Sequence, residues 1–463
     1  MDAATSCDTT VDFVHVSIPL SAQETILADL EDRMSKATKR LLDEDEQGGR
    51  IPMGPIRIHR FPQGLRGIGG GDDRYVVPSV VAIGPYHHGR PHLQEMEVVK
   101  HAAADRFCSR SGCQLEKVYT KIASISDMAR FCYAPGDGAL ARFSDDQFAT
   151  MMFVDGCFLL EFIDSRFLGS QYSSRPGILR DIFLLENQIP WLVLEALMEF
   201  VPNINICRFV ADMGEKYFFP KKEKKYQLCE EDQFTEESDP GGDMPPHLHL
   251  LGLLWFNQIR SMLDPKLRYD DMSSSSSSLS ISAAELAQVG LKLTASKASR
   301  FGDMRVKAKT FYGELSLSPV FLNDVSACWL VNMAALEARM NAGSWENSDD
   351  RAAISSYMSV LAMLMDRKED VHKLRRRGVL RSIFSNTQTL AFFKGLGRRL
   401  EPGHRFFITM NEIDRYMTKR TVRIAVHRFV YNNYRTVAKV LSITGVLFAV
   451  FKALLQINPH PHN

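Results

Sequence analysis

The C-terminal end places the tightest constraint on what this chain can become. From Val440 through Ile457 it reads VLSITGVLFAVFKALLQI, eighteen residues with one charge, Lys452. As an α-helix, eighteen residues extend about 27 Å, just under the ~30 Å of a hydrocarbon core. Eleven of them are Val, Leu, Ile or Phe. Each favours insertion by about 0.3–0.6 kcal/mol, against about 2.5 kcal/mol or more for a central lysine. Lys452 lies past the midpoint, where its stem can carry the ammonium to the far interface. The sum is marginal and favours a membrane-spanning helix. A buried core helix and an amphipathic surface helix are the competing readings.

The flanking charge agrees with spanning. Between Val371 and Lys439 there are 16 Lys or Arg against three acids, Glu401, Glu412 and Asp414. A basic flank marks the cytosolic side, so the positive-inside rule leaves only residues 458–463 beyond the membrane. Such a segment is also drawn to anionic lipid. The whole chain of 463 residues carries a formal net charge of only +1. That near-neutrality is a cancellation, with +14 over residues 371–463 and −13 over residues 1–370. Arg375-Arg376-Arg377 belongs to the basic flank, and no aromatic platform or binding module accompanies it, so nucleic acid is not an expected partner.

Composition is that of a globular protein, 45% hydrophobic and 24% charged, which excludes disordered, collagen-like and disulfide-scaffold readings. The N-terminus has neither the basic nor the apolar region of a secretory signal. Eight scattered cysteines without a Cys-x-x-Cys pair read as reduced, mostly buried thiols.

Periodicity predicts a mainly α fold with a small antiparallel β insert and a single C-terminal membrane helix. Residues 1–50 form an N-terminal segment whose helix begins at the capping box Ser21-Ala22-Gln23-Glu24. Residues 51–435 form a helical domain that opens with Pro- and Gly-rich irregular structure. Helices are expected over 93–133, 145–167, 247–262, 323–340, 352–365 and 411–431. Residues 182–200 are so continuously apolar around Glu186-Asn187-Gln188 that a helix buried on all sides is expected. Residues 221–246 and 271–282 (the latter with an unbroken serine run) read as flexible segments. Three alternating segments at about 289–318 predict a small antiparallel meander. Residues 436–463 are the anchor.

No catalytic constellation emerges. His87, His88, His92 and His101 come closest to a metal site, and a helix would bring His88 and His92 together, but Pro91 lies between them. A structural turn is the expected reading, and no metal or cofactor is assigned. Gly67-Ile68-Gly69-Gly70-Gly71 lacks the lysine and hydroxyl residue of a phosphate loop. Asp155 and Glu161 form a possible buried acid pair, read as caps or partners of buried cations rather than catalysts.

Four segments resemble the plant protein family catalogued as domain of unknown function 247, the UPF0481-type proteins. They are Pro78-Ser79-Val80-Val81-Ala82-Ile83-Gly84-Pro85-Tyr86-His87-His88-Gly89 with Leu93 and Met96-Glu97; Met151-Met152-Phe153-Val154-Asp155-Gly156-Cys157-Phe158-Leu159-Leu160-Glu161; Asp181-Ile182-Phe183-Leu184-Leu185-Glu186-Asn187-Gln188-Ile189-Pro190; and Ser356-Tyr357-Met358 through Glu369-Asp370-Val371. The resemblance covers roughly residues 56–457. It implies a mostly helical plant protein with one C-terminal membrane helix and no established enzymatic activity. Some relatives in grasses are implicated in pollen self-incompatibility, which implies a recognition role at family level.

The resulting expectation is a membrane-anchored, non-enzymatic interaction protein, with a cytosolic body, a protein partner and contact with the membrane through residues 440–457. The rival is a hydrolase-like enzyme using the His87/His88 region with Asp155 or Glu186.

Overall fold

The computed structural model describes residues 57–68, 73–135, 138–164, 175–219, 249–259, 281–296, 300–340 and 352–457. The expected N-terminal helix, the Gly69–Gly71 portion of the glycine-rich loop, the two flexible segments apart from residues 281–282, and the tail beyond 457 lie outside them.

Ser144 starts the helix around which the first half of the domain is built. Its hydroxyl accepts the Gln147 N–H at 3.2 Å while the Gln147 side chain accepts the Ser144 N–H at 3.1 Å, a closed capping box. The helix runs over Asp145–Ile163 and buries every residue from Met151 to Ile163. A helix apolar on all faces must be surrounded. Gln94–Ser111, Leu115–Ser124, Ser126–Phe131 and Trp191–Met198 pack against it. With these included, α1 is Gln94–Ser111, α2 Leu115–Ser124, α3 Ser126–Phe131, α4 Asp145–Ile163, α5 Arg175–Asp181 and α6 Trp191–Met198. The stretch read as one helix over 93–133 is therefore three. Gly112, in the left-handed region at φ +65°, ends the first.

The second half repeats the arrangement. After α7 (Ile206–Phe218), α8 (Leu250–Ile259) and α9 (Ala283–Gln288), helix α10 (Asp324–Met340) is buried from Val325 to Glu337. It packs against α5, α8 and α11 (Ala353–Leu364). Phe183, Phe218, Phe301, Trp329 and Tyr357 form an aromatic cluster across the two halves, edge-to-face except for the tilted Phe301–Tyr357 pair, with Phe183 and Trp329 centroids 4.6 Å apart. One hydrophobic core therefore joins both halves. Helices α12 (Lys368–Arg376), α13 (Asn386–Gly397) and α14 (His404–Thr418) complete it.

The helix expected over 182–200 is corrected. Only α6 is helical; residues 182–190 are turns and extended chain, wholly buried. Polar side chains take over the hydrogen bonds a helix would have made. Gln188 Nε2 donates to the carbonyls of Ile182 and Leu184, both at 2.8 Å, and Asn332 Oδ1 accepts the Leu185 N–H at 2.8 Å.

The β insert lies where alternation places it, as β1 (Leu291–Ala295), β2 (Arg305–Ala308) and β3 (Gly313–Leu317). Its pairing is corrected from an antiparallel meander to a mixed sheet of order β1-β3-β2. β3 is antiparallel to β2 but parallel to β1, in register from Leu291 opposite Gly313. β3 buries Gly313, Leu315 and Leu317 and so takes the centre, whereas β2 exposes Arg305, Lys307 and Ala308, which suits an edge. β4 (Val320–Leu322) and β5 (Leu380–Ser382) form a separate parallel pair.

The stretch read as one helix over 411–431 is also two. Helix α14 stops at Thr418, and α15 (Thr421–Asn432) starts after Arg420, which leaves helical geometry at φ −134°. A second break at Asn433 leads into α16 (Tyr434–Ile457).

Candidate functional site

The motifs singled out in the sequence converge on one buried network of polar side chains. It ties the irregular segment 78–89 to α4 and to the buried segment 181–190. Asp181 Oδ2 accepts three successive backbone N–H groups, from Ser79 at 2.8 Å, Val80 at 2.6 Å and Val81 at 3.2 Å. Asn187 reads the next turn from both sides, accepting the Ile83 N–H at 2.7 Å and donating to the Val81 carbonyl at 3.0 Å. Asp155 Oδ2, from the middle of α4, accepts the Gly84 N–H at 2.7 Å. At Gly84 the chain turns with φ +72°, and an added Cβ would fall 2.4 Å from the Gln188 carbonyl oxygen. Only glycine fits both the conformation and the space.

Each buried charge in this network has an opposite one. Asp155 faces Lys100 at 2.5 Å, both about 1% exposed, and Lys100 also donates to the Ala82 carbonyl at 3.0 Å. Burial raises the Asp155 pKa, with Lys100 and the Gly84 N–H working against it. For Lys100 burial works in the opposite sense to its neighbours, but Asp155 and Glu97 outweigh it, so the ammonium is held above its ordinary pKa. Glu161 sits apart from Asp155, against Arg106 at 3.2 Å and Arg110 at 3.0 Å. The structure thus does not make a pair of the two acids; each partners a cation.

Glu186 and His87 do meet, at 3.6 Å between Oε2 and Nε2, both at most 2% exposed. Glu186 accepts the Phe61 N–H at 2.8 Å and contacts Arg60 and Arg66, each at 3.3 Å. Burial, followed by Arg90, Arg60 and Arg66, pushes the His87 pKa down to about 3, so the ring is neutral. The other three histidines go elsewhere. The His88 ring stacks edge-on against Phe143, His92 Nε2 meets the Pro78 carbonyl at 3.1 Å, and His101 Nδ1 meets the Glu97 carbonyl at 2.7 Å. Among the described residues no cluster of three or more His, Cys, Asp or Glu has the geometry to hold a metal. Of the described cysteines, Cys157 and Cys328 are buried and Cys108, Cys113, Cys132 and Cys207 are half-buried, all as free thiols.

Lys100, Asn332 and Glu337 were not singled out from the sequence, and Asp181 only as the first residue of a family segment. Lys100 interrupts the apolar stripe Met96, Ala103, Phe107 at helical spacing, which was a readable sign of a buried partner. Glu337 closes the apolar run of α10 and accepts from Trp255 Nε1 at 2.9 Å and from the Ile354 and Ser355 N–H groups at 2.9 and 2.7 Å. Burial raises its pKa to about 7. It caps the first turn of α11.

Chemically, these side chains hold backbone in place. Two surface clefts, one lined by residues including Trp191, Met198 and Asn203, the other by residues including Arg74, Arg180 and Asp324, include none of His87, Asp155 or Glu186.

The exposed feature is at the opposite end of the chain. Over Tyr434–Leu454 the helix α16 has a mean hydropathy of 1.9, is long and apolar enough to cross a membrane, and buries none of its apolar window. Val440, Leu441, Ile443, Val446, Leu447 and Phe448 are all more than half exposed. Ser442 and Thr444 donate their hydroxyls back to the carbonyls of Ala438 and Val440, at 2.9 and 2.8 Å, so their polar groups are satisfied within the helix.

A family model described as a plant protein of unknown function, DUF247, matches residues 58–448. An Arabidopsis thaliana relative, UPF0481 protein At3g47200, is 23% identical over 409 residues, covering 82% of this chain and 81% of its own. A second, UPF0481 protein At3g02645 of the same plant, is 34% identical over 130 residues, covering 27% of this chain and 24% of its own length. No solved structure matches.

Proposed function

This chain belongs to the plant protein family of unknown function DUF247, and we propose that it is a membrane-anchored interaction protein without enzymatic activity. Helix α16 crosses the bilayer, the helical body stays on the cytosolic side, and the body presents a surface to a protein partner. The observation that carries the proposal is the apolar helix that follows a strongly basic segment and leaves its apolar window wholly exposed. A core helix of a soluble protein would bury that surface, since contiguous exposed apolar area of this extent marks a contact with something other than water.

The non-enzymatic part is supported by what the buried acids do. Asp155, Glu186 and His87 are at most 2% exposed, and both carboxylates are occupied with backbone N–H groups and cations. A catalytic acid or base must reach its substrate. Alkaline carbonate extraction of membranes tests the anchor: full-length protein should stay in the pellet, and release into the supernatant would sink the spanning reading. Proximity labelling with and without residues 440–463 then identifies the partner. Self-recognition of the kind implicated for grass relatives is one specific form of that interaction, to be judged by whether a second copy of the chain is labelled.

A further inference from the structure

Helix α15, which joins the body to α16, turns most of its large apolar side chains away from the protein. It has no buried residue. The side that faces the protein carries Ile424, packed against the hydrophobic core, and His427. Arg420 donates to the Lys309 carbonyl, Arg423 to the Thr310 carbonyl at 2.8 Å, and His427 Nδ1 meets the Gln288 carbonyl at 3.1 Å. The His427 ring lies over Gly290, where an added Cβ would come within 3.3 Å of it. On the side away from Ile424 and His427, Val422, Val426 and Phe429 point outward, 76%, 60% and 64% exposed. From Arg415 to Lys439 the chain carries seven Lys or Arg and no acid.

A second element joins this surface. The carbonyls that Arg420 and Arg423 hold belong to the tip of the β2–β3 hairpin, where Phe311 is 87% exposed. Lys292 lies over the Tyr312 ring at 4.0 Å, and Lys309 beside it pairs with Glu314 at 2.6 Å. The tip thus offers an aromatic ring set among cations, beside the first turn of α15.

We propose that α15 and the Phe311 tip form a docking surface for anionic lipid, seating the body on the membrane. Val422, Val426 and Phe429 enter the boundary between headgroups and acyl chains, with Phe311 beside them, while Arg428, Arg435 and Lys439 meet the headgroups. Two arguments favour lipid over a protein partner. The apolar face runs directly into the helix proposed to enter the bilayer, so α15 lies at the interface by connection, and its charge is of the sign anionic headgroups attract. This inference rests on the anchor reading, and the experiment separates the two.

Full-length Phe311→Trp and Phe429→Trp proteins are reconstituted into phosphatidylcholine vesicles containing lipid brominated near the headgroup, with or without about a third phosphatidylserine. Trp255 and Trp329 are wholly buried, and the contribution of the native tryptophans is subtracted with the parent protein. The added emission at both sites should be quenched about two-fold or more with phosphatidylserine and less without it. Val422→Glu with Val426→Glu should relieve quenching at Phe429→Trp while leaving the protein resistant to carbonate. Unquenched emission at both sites in carbonate-resistant protein overturns the docking surface and leaves the anchor, the result expected if a protein covers this face. Equal quenching with and without phosphatidylserine overturns its lipid preference. Quenching in protein that carbonate releases removes the anchor and keeps the docking surface.

Discussion

At the scale of single residues, the Asp155–Lys100 pair shows what the buried polar groups do. Both partners are almost fully buried and stand 2.5 Å apart. Removing one charge strands the other in a low-dielectric interior, so Asp155→Asn should destabilise the folded protein by about 3–5 kcal/mol. Replacing both, Asp155→Leu with Lys100→Met, should cost less than the single change, because the Gly84 N–H and the Ala82 carbonyl are the buried groups left to find partners, while Glu97, 19% exposed, can turn to water. Urea midpoints in detergent decide; a double variant less stable than Asp155→Asn would contradict this account. His249 gives a pH dependence of defined sign. Its Nδ1 accepts the Gly252 N–H at 3.2 Å, and burial, then His59, lowers its pKa from 6.5 to about 3. Between those values the unfolded chain holds a proton that the folded chain does not, so His249 contributes stability above pH 6.5 that is lost as pH falls towards 3. His249→Asn keeps an acceptor at the helix start and removes the titration. Relative to that variant, the parent should lose about 1.4 kcal/mol per pH unit through this window. Parallel stability profiles would refute it.

At the scale of elements, α16 carries the functional reading, and its apolar centre should be decisive. Leu447→Lys places a charge in the middle of a helix whose balance is already marginal, at a cost of about 3 kcal/mol. Carbonate should then release the protein. Lys452→Leu removes the existing cost and should leave it in the pellet. Release of both variants, or of neither, would mean that insertion does not depend on this helix's hydrophobicity. The elements also show where sequence periodicity stops being informative. α4 and α10 were readable because long apolar runs with good starts stay helical wherever they pack; α11 was readable from its apolar run alone, since its start is capped by the distant Glu337. Residues 182–190 look equally apolar, yet Gln188 and Asn332 bond to their backbone and hold turns there instead. Asn332 lies far along the chain from Leu185, and no local pattern reveals such a partner. The β insert follows the same logic. Alternation placed its strands, but burial of Leu315 and Leu317 decided that β3, not β2, takes the middle.

At the scale of the whole molecule, the charge asymmetry proposes an orientation. If the basic segment marks the cytosolic side, protease added to intact membrane vesicles that display their cytosolic face should digest the body and leave only a short fragment containing α16. Full protection of the body would reverse the topology. Much of this molecule was legible from its sequence: the helical class, the position of the β insert, the family, and a C-terminal helix apolar enough to cross a membrane. These rest on local composition and spacing, which act through propensity, desolvation and charge without reference to distant residues. The tertiary structure alone decided that the motif residues form a backbone-holding network, that Asp155 and Glu161 take separate cations, and that α15 turns Val422, Val426 and Phe429 outward. Each depends on which side chains meet across the fold, and burial alters the energy of a charge or an apolar face only once that meeting has been made.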